Sequence, residues 1–585
     1  MENVRNFFLK PVHITHKRYE AMRALCLDRL KSKEVAKRFG YSLSTINAMK
    51  RDFIKAINKG EVESSYFFIT HTPGKHKDAH KAKVKEIIIN LRKQNYSILD
   101  IKGVLHTEDS RYRVSHDYIH RLLAQEGFVR LPRRTQIERR RVSAKVIKAP
   151  KSCPIDWRED NGKTFYSERG IGILPFLPLL SWLNVDQWIE SAGYPETSEL
   201  NRVQSVLSFI ALKLSGHNRY SQDDLWAMDR GFGLFAKLNV LPKNGTLSSY
   251  SYRTTRRMNR RFLTAMFHRL KGLGLLNGVV NMDFTTIPHW GKTSVLENNW
   301  SGKRGKALKS VLAAICQDPD TGIFCYSDTE IKHRKQPECV LQFVDFWKQG
   351  GESPACLIFD SKFTTYQNLE RLDRDHVKFI TIRRRSKGLL SNIKGLSQKD
   401  WEPIWIEGLG RKYEKVKVNE SEIILPKTDC ILRQIIVSDH GREKETFIIT
   451  NDRERSPSQI IRQYARRWNV EKGISEQIEF FHLNSLSSSI VVKVDFDLAM
   501  TIAAHNFYRI MAQNLSGFEK ESSSSLNSKF FTNGGQFTID KDIITIEMKK
   551  KRHLPILMDA LSAYQETTIP WLNNRKLIFK LWTTS

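Results

Sequence analysis

Three acidic residues of this 585-residue chain stand where a folded protein could bring their carboxylates together. Asp283 interrupts an apolar run, residues 278–287, which is typical of a buried strand. Asp360 ends a second apolar run, residues 355–359, and the carboxyl ends of strands are where open sheets build sites. Glu471 lies on a predicted helix. Carboxylate oxygens are the ligands that Mg²⁺ prefers, so the pattern indicates a two-ion site for cutting and joining phosphodiesters.

The helix that would carry Glu471 has a well-marked start. Ser456 can cap it, Pro457 suits its first turn, and Gln459 completes a capping box. The pattern therefore predicts one helix that begins at Ser456 and continues through Glu471.

One side of that helix gathers the residues suited to chemistry. Tyr464, Arg467 and Glu471 are separated by three and four residues, which aligns them on a continuous helix. Glu476 is an alternative third acid, but helical geometry rotates it away from this side, as it does Lys472. The spacing therefore favours Glu471.

The elements between the acids predict a mixed sheet covered by helices, because three strands and a helical crossover are followed by alternating elements. Taken singly, each acid has a simpler role. Asp283 could cap a turn, Asp360 could begin the next helix, and Glu471 could pair with Arg467 on the surface. The predicted elements are strands 279–285, 311–315 and 323–330, helix 338–348, strand 355–359, helix 364–372 and strand 377–382.

The sequences around the acids resemble those of the DDE transposases of bacterial insertion sequences. The matching strings are Met-Asp-Phe-Thr-Thr-Ile-Pro at Asp283, Ile-Phe-Asp-Ser-Lys-Phe at Asp360, and Tyr-Ala-Arg-Arg-Trp-Asn-Val-Glu, which ends at Glu471. The last string fits the Tyr, two residues, Arg, three residues, Glu spacing of one branch of that family. Ile478 stands where that branch has a lysine that contacts DNA.

This resemblance implies a catalytic core with a ribonuclease H-like fold. Asp283, Asp360 and Glu471 would be its catalytic residues and would bind two Mg²⁺ ions, for which Mn²⁺ can substitute. Tyr464 and Arg467 would contact DNA at the cleavage point.

A long interval precedes the third acid and predicts an insertion, since 111 residues separate Asp360 from Glu471 and only 77 separate the first two acids. The resemblance implies a β-rich insertion over residues 387–451, which divides the core into residues 277–386 and 452–520. It could be a decorated loop or, by analogy, a platform for transposon-end DNA. The stretches with β character are 405–406, 413–418, 432–437 and 445–450.

The charge balance predicts a nucleic-acid partner. The formal net charge is +32 and the isoelectric point is about 9.8. Residues 1–150 contain 33 Lys or Arg against 15 Asp or Glu. Such a field attracts phosphate, and binding should weaken as salt increases.

Residues 1–60 have the pattern of a helix-turn-helix DNA-binding domain, with helices over 18–30 and 32–39, a turn at Gly40, and a third helix that starts at Ser42. The simpler alternative is a three-helix bundle with a polar outer face. A weaker module of the same kind covers residues 83–129. The residues of the third helix suited to base edges or phosphates are Ser44, Thr45, Asn47 and Lys50.

Residues 130–164 form a basic linker between these modules and the rest of the chain. Its first part, residues 130–141, holds six Arg and one Glu, so we expect it to lie along DNA rather than to fold alone, although a solvated linker is the simpler reading. A helical domain over 165–276 and a C-terminal region over 521–585 complete the predicted organisation. The arginines expected to contact DNA are Arg133, Arg134, Arg139, Arg140 and Arg141.

The sequence thus predicts a multidomain α+β protein with helix-turn-helix modules, a helical domain and a ribonuclease H-like core interrupted by a β-rich insertion. The seven cysteines include no close Cys-x-x-Cys pair, and no apolar run is long enough for a membrane span. We therefore expect neither zinc fingers nor membrane insertion, and a cytoplasmic, nucleoid-associated protein in a bacterium.

The expected activity is that of a transposase, which cleaves and transfers DNA strands. Its partners would be the terminal inverted repeats of an element and target DNA, with a homodimer in the active complex. Two alternatives stay open, a catalytically inactive DNA-binding regulator and a related DNA nuclease.

Overall fold

The computed structural model describes most of the chain, with scattered positions between residues 62 and 105 in addition to the continuous ranges. Two compact units divide it, Met1–Asn90 and Leu91–Ser585. Helices and sheets both contribute, which confirms the α+β class. The continuous described ranges are 7–60, 79–93, 114–128, 150–217, 226–289, 296–301, 305–406, 415–440, 445–483 and 491–582.

The first unit includes the helices α1 (Ile14–Cys26), α2 (Ser32–Phe39) and α3 (Leu43–Asn58). Gly40 ends α2 with a φ of 61°, a left-handed conformation that glycine adopts readily. Apolar side chains from all three helices form a common core. The first helix was predicted over residues 18–30, but it spans Ile14–Cys26 and so lies four residues earlier in the chain.

The next described helices are α4 (Ala79–Lys93) and α5 (His116–Gln125), and the Ser115 side chain caps α5. Between them, residues 98, 101, 102, 104 and 105 are described and are helical. Residues 221–225 of the helical domain fall outside the described residues, as do Arg133, Arg134, Arg139, Arg140 and Arg141.

The segment before the acidic residues is mainly helical, but it opens with strand β1 (Thr164–Ser167). The prediction of helix from residue 165 onward is wrong there, because β1 pairs with a strand more than 360 residues later in the chain. No local periodicity can reveal such a partner. The helices that follow are α6 (Phe176–Trp182), α7 (Val185–Ala192), α8 (Arg202–Leu214), α9 (Arg230–Phe235), α10 (Asn244–Tyr250) and α11 (Arg256–Gly272).

A large mixed sheet begins with the strand that carries Asp283. Its first strands are antiparallel in the order β5-β4-β2, and β6 and β7 then run parallel to β2. Each predicted strand from 279 to 382 is present, with bounds shifted by a few residues. The elements are β2 (Val279–Pro288), β3 (Asn298–Ser301), β4 (Lys306–Gln317), β5 (Phe324–Asp328), α12 (Cys339–Lys348), β6 (Cys356–Phe359), α13 (Tyr366–Arg374) and β7 (Phe379–Ile382).

The residues predicted as a β-rich insertion extend this same sheet. After α14 (Lys387–Lys394), the strands β8 (Glu402–Trp405), β9 (Lys415–Ile424), β10 (Ile431–Ser438) and β11 (Thr446–Thr450) form an antiparallel series. Strand β11 pairs with β7, so the sheet is continuous from β3 to β8. The core and the inserted strands therefore share one hydrogen-bonded framework.

The last third of the chain packs helices on the sheet and adds a second, smaller sheet in the order β1-β12-β13-β15-β14. In it, β12 and β13 are antiparallel neighbours. The elements are α15 (Pro457–Ala465), α16 (Trp468–Glu479), α17 (Val491–Asn514), α18 (Ser523–Leu526), β12 (Gly535–Ile539), β13 (Ile543–Lys549), α19 (Leu554–Ser562), β14 (Thr568–Ile569) and β15 (Arg575–Trp582).

A buried amide on helix α17 forms hydrogen bonds with the main sheet. Asn506 accepts the backbone N–H of Phe324 at 2.8 Å and donates to the carbonyl of the same residue at 2.8 Å. Both residues are fully buried. The amide thus takes the place of a neighbouring strand at β5, whose backbone groups would otherwise lack partners away from water.

Replacing this amide should destabilise the protein. We expect Asn506→Ala to lower the free energy of unfolding by roughly 2–4 kcal/mol, because two buried backbone groups lose their partners. Asn514→Ala is the matched control, since this amide lies on the same helix and bonds the Tyr564 hydroxyl at an exposed position. It should change stability by less than about 1 kcal/mol. Urea unfolding compares the variants, and equal losses would contradict the role of Asn506.

Candidate active site

Asp283 and Asp360 lie side by side, where β6 ends beside the middle of β2. The parallel strands β2 and β6 are in register with Met282 opposite Phe359, so the two aspartates are the next residues of neighbouring strands. Asp283 is mostly buried, and Asp360 is half-buried in the turn after β6. The Ser361 hydroxyl donates to Asp360 Oδ1 at 3.1 Å.

An aromatic pair on the other side of β2 holds the turn after Asp360 in place. The rings of Phe284 and Phe363 are stacked with centroids 3.8 Å apart and an interplanar angle of 2°. Since Phe284 follows Asp283 and Phe363 closes the short turn after Asp360, this contact links the two segments that carry the acids.

The predicted helix from Ser456 through Glu471 is interrupted. The capping box of Ser456 and Gln459 is present, but α15 ends at Ala465 and α16 begins at Trp468. The Asn281 side-chain amide donates to the Arg466 carbonyl at 2.9 Å. The backbone N–H groups of Arg467, Asn469 and Val470 donate to carbonyls three residues earlier instead of four. A side chain inserted into the backbone ladder explains the break.

Asn281 therefore positions the junction between α15 and α16. It is buried on β2, two residues before Asp283, so both side chains belong to the same face of the strand. On the other side of the junction, Arg466 Nη2 donates to the Pro319 carbonyl at 3.3 Å and forms an ion pair with Asp320. These contacts place the next residue, Arg467, above Asp283.

The guanidinium of Arg467 joins two of the three acids. Its Nη1 donates to Asp283 Oδ2 at 2.9 Å, and its Nη2 donates to Glu471 Oε1 at 3.0 Å. The side chain of Arg467 is only 12% exposed, whereas that of Glu471 is 53% exposed. Arg467 also lies 5.9 Å from the centre of the Tyr464 ring. The side chains of the predicted Tyr, Arg and Glu motif are thus gathered around Asp283.

Burial sets the electrostatics of this cluster. It raises the pKa of Asp283 to about 6, although Arg467 and the Phe284 N–H counteract the shift. Burial opposes the charge of Arg467, but Asp283, Tyr464 and Glu471 together raise the pKa of its guanidinium. Burial also raises the pKa of Tyr464 to about 12. Asp283 is consequently a carboxylate whose ionised form depends on a neighbouring positive charge.

The side chains of Asp283, Asp360 and Glu471 suit a hard divalent cation, because all of them offer carboxylate oxygens. Its present geometry is that of an ion-pair cluster. In the described part of the chain, no group of three Asp, Glu, His or Cys side chains is arranged to hold a metal ion. Arg467 occupies the space between Asp283 and Glu471, so a cation shared by these acids would have to replace its guanidinium.

A cavity of about 420 Å³ opens beside the cluster. It lies where α15 and α16 meet β7, β10 and β11, and its described lining includes basic residues but no acid. Arg383 Nη1 donates to Gln434 Oε1 at 3.1 Å, and Arg385 bonds backbone and side-chain oxygens of β11 and the residue before it. The basic lining residues are Arg383, Arg384, Arg385, His440 and Arg467.

The structure separates the remaining candidates from the cluster. Glu476 accepts from the N–H and hydroxyl of Ser523 at 3.2 and 2.9 Å, which fits its predicted rotation away from the site. Ile478, at the position of the family's lysine, packs against the main hydrophobic core.

Two contributions to the site escaped the sequence analysis. Asn281 had a signal, since it lies two residues before Asp283 in a predicted strand and so belongs to its face. The Arg383-Arg384-Arg385 run after β7 was also visible as a basic triplet.

All three acids lie in a segment that is similar to a known protein family. Residues 277–507 match the family described as transposase DDE domain. The matched segment extends from just before β2 into α17, and so includes strands β8 to β11.

No curated protein matches the sequence significantly. Among solved structures, the chain is similar to the piggyBac transposase in a synaptic complex with hairpin DNA. The TM-score is 0.34 and the identity 11%, over 65% of this chain and 82% of that chain. Within the described ranges, no helix has the length and apolar character needed to cross a membrane.

The raised pKa of Asp283 gives a stability test with a defined sign. The folded protein holds this proton more tightly than the unfolded chain, whose carboxyl has an ordinary pKa of 3.8, so stability is lost as the pH rises through about 6. Asp283→Asn removes the ionisation. We therefore expect it to stabilise the protein by roughly 1–3 kcal/mol above about pH 7, with the gain vanishing near pH 4.

Urea unfolding at the two pH values measures the gain. Asp375→Asn is the control, because Asp375 is exposed and forms only a 3.6 Å surface pair with Lys348. A loss of stability in Asp283→Asn at neutral pH, or a gain that does not depend on pH, would contradict the assignment.

Proposed function

We propose that this protein is a transposase that binds the ends of a DNA element and catalyses metal-dependent strand cleavage and strand transfer. Asp283, Asp360 and Glu471 are the proposed catalytic residues and metal ligands. The observation that carries the proposal is the cluster within the transposase DDE domain, where Arg467 bonds Asp283 and Glu471 beside Asp360.

The proposed core is ribonuclease H-like. Its support is the order β5-β4-β2-β6-β7, with three antiparallel strands followed by two that run parallel to β2. The acids stand on the first of these strands in sequence, after the fourth, and on a late helix. This is the distribution that the resemblance to DDE transposases implies.

Bound to the three carboxylates, two Mg²⁺ ions, or Mn²⁺ in their place, would stabilise the attacking and leaving oxygens of an in-line displacement. The chain's own residues have separate tasks. Ser361 orients Asp360 by its hydrogen bond, and Arg467 can hold a phosphate oxygen with its guanidinium. Tyr464 stays a neutral hydroxyl at physiological pH, because burial raises its pKa to about 12, and it can donate to the same phosphate.

Recognition of the element ends is assigned to the basic N-terminal part, with α3 as the recognition helix of a helix-turn-helix. Ser44 and Thr45 are exposed, but their hydroxyls bond the Ser42 hydroxyl at 2.8 and 2.7 Å and so complete the helix cap. Asn47 and Lys50 are exposed further along α3. They are the stronger candidates for DNA contact, to which the five predicted arginines between 133 and 141 would add.

The proposed partners are the terminal inverted repeats of the element and target DNA in a bacterial nucleoid. Two ends must be processed together, and each needs one set of Asp283, Asp360 and Glu471. The working complex is accordingly proposed to be a homodimer.

The central test compares wild type with Asp360→Ala on a labelled duplex that carries the inverted repeat flanking the gene, with plasmid DNA and Mg²⁺. We expect the variant to lose cleaved and joined product by roughly two to three orders of magnitude while duplex binding persists. Asp375→Ala, an exposed aspartate of the same region, should retain activity.

Each other outcome has a defined meaning. Equal product from wild type and Asp360→Ala would overturn the catalytic assignment. Duplex binding without Mg²⁺-dependent cleavage by wild type would indicate a regulator, and cleavage without joining would indicate a nuclease.

The recognition helix is tested by Lys50→Ala. We expect weaker binding to duplexes of any sequence and a decrease of about one in the slope of log affinity against log salt, because one phosphate contact is lost. Lys59→Ala is the control, since Lys59 is an exposed lysine at the other end of α3. Electrophoretic mobility shifts over a salt series measure both. Equal effects of the two substitutions would argue against α3 as the recognition helix.

A further inference from the structure

The guanidinium of Arg467 uses both Nη atoms on the carboxylates that are proposed to bind metal. We propose that Arg467 is a resident counter-ion, which competes with the divalent cation for Asp283 and Glu471 and releases them when a DNA phosphate binds its guanidinium. This inference rests on the proposed function, because it requires these acids to be metal ligands. Arg467 would then couple cation binding to the presence of DNA.

Competition follows from the contacts. Asp283 Oδ2 and Glu471 Oε1 each accept a charge-assisted hydrogen bond from Arg467, at 2.9 and 3.0 Å. A divalent cation on the same oxygens would lie within a few ångströms of the guanidinium, and two positive charges at that distance repel strongly in a poorly hydrated site. The Arg467 side chain is mostly buried, so solvent screens this repulsion only weakly.

The cavity beside the cluster offers Arg467 a second partner position. The Nε atoms of Arg467 and Arg383 are both buried and have no acceptor among the residues that the structure describes. Both residues line the 420 Å³ cavity, whose described lining contains no Asp or Glu. Buried donors without acceptors destabilise a protein, so an anion in this cavity would be stabilised by them.

Phosphate is the anion that DNA supplies. An oxygen of a DNA phosphate in the cavity could accept from the Nε groups of Arg467 and Arg383, while the exposed Arg384 adds charge at the same opening. When the phosphate accepts from Nε and also from an Nη of Arg467, as in a two-bond fork, it replaces a carboxylate at that Nη. The oxygens of Asp283 and Glu471 then become available to a cation.

A purely structural ion pair makes the opposite prediction. If Arg467 only held the carboxylates in position, its removal would loosen the site and weaken cation binding. If it competes with the cation, its removal strengthens cation binding. The direction of the change therefore separates the two roles.

The experiment measures Mn²⁺ binding to the full chain without DNA, by electron paramagnetic resonance of unbound Mn²⁺. We expect Arg467→Gln to bind Mn²⁺ roughly tenfold more tightly than wild type, which corresponds to about 1.4 kcal/mol. Lys472→Gln is the matched control, because it removes one positive charge at an exposed position of α16, next to Glu471. It should stay within about twofold of wild type.

A second arm adds a duplex that mobility shifts show to be bound. Wild type should then bind Mn²⁺ roughly tenfold more tightly, and Arg467→Gln should gain much less, because its carboxylates are already released. Asp283→Asn with the same duplex is the control for this arm, because it measures the Mn²⁺ that is bound by the DNA and not by the carboxylates.

Failure of this inference is distinguishable from failure of the proposed function. If Asp283→Asn abolishes Mn²⁺ binding but Arg467→Gln binds no more tightly than wild type, or gains as much from DNA, the counter-ion role is overturned and the metal site stands. If saturable Mn²⁺ binding does not depend on Asp283, both are overturned. Thermal melts of each variant exclude misfolding as the cause.

Discussion

The sharing of one buried guanidinium between Asp283 and Glu471 is the constraint on which the local structure depends. A carboxylate on a covered strand is destabilised by the loss of water, and the burial of Asp283 shows this in its raised pKa. Arg467 offsets that penalty only if the junction between α15 and α16 stays where Asn281 and the Pro319 carbonyl hold it. The break in the helix thus helps to stabilise the ionised Asp283, since it fixes the guanidinium of Arg467 over β2.

The continuity of the sheet determines what else surrounds this cluster. Because β11 pairs with β7, the inserted strands are joined to the core by backbone hydrogen bonds rather than appended through a flexible connection. Arg383, Arg384 and Arg385 follow β7 directly, at the place where core and extension meet the helices. Strands β10 and β11 consequently line the basic cavity together with β7 and the two helices.

The sequence predicts the parts of this arrangement that depend on local pattern. Apolar runs identify β2, β6 and β7 to within a few residues, and the placement of Asp283 and Asp360 on or after them predicts their proximity. The helix of Glu471 was predicted as continuous because its spacing is helical throughout. Its break arises from Asn281, 185 residues away in sequence from Arg466, and β1 likewise depends on a partner strand near the C-terminus. Contacts of that range leave no periodic signal in either segment.

Ile478 stands where the resemblance to DDE transposases implies a lysine, and the packing of α16 explains why an apolar residue suits this position. The side of α16 that bears Val470, Gly473, Ile474 and Gln477 is buried, and a Cβ on Gly473 would approach Phe324 Cζ to 2.8 Å, so the helix lies close against the sheet. Ile478 adds apolar contact to that packing, where a lysine would have to extend its ammonium to solvent. The positive charge beside the acids comes instead from Arg467 and the arginines after β7, whose planar forks suit phosphate better than an ammonium does. The arginines beside the acids thus belong to the turn after β7 and to the junction between α15 and α16, not to the side of α16 that packs on the sheet.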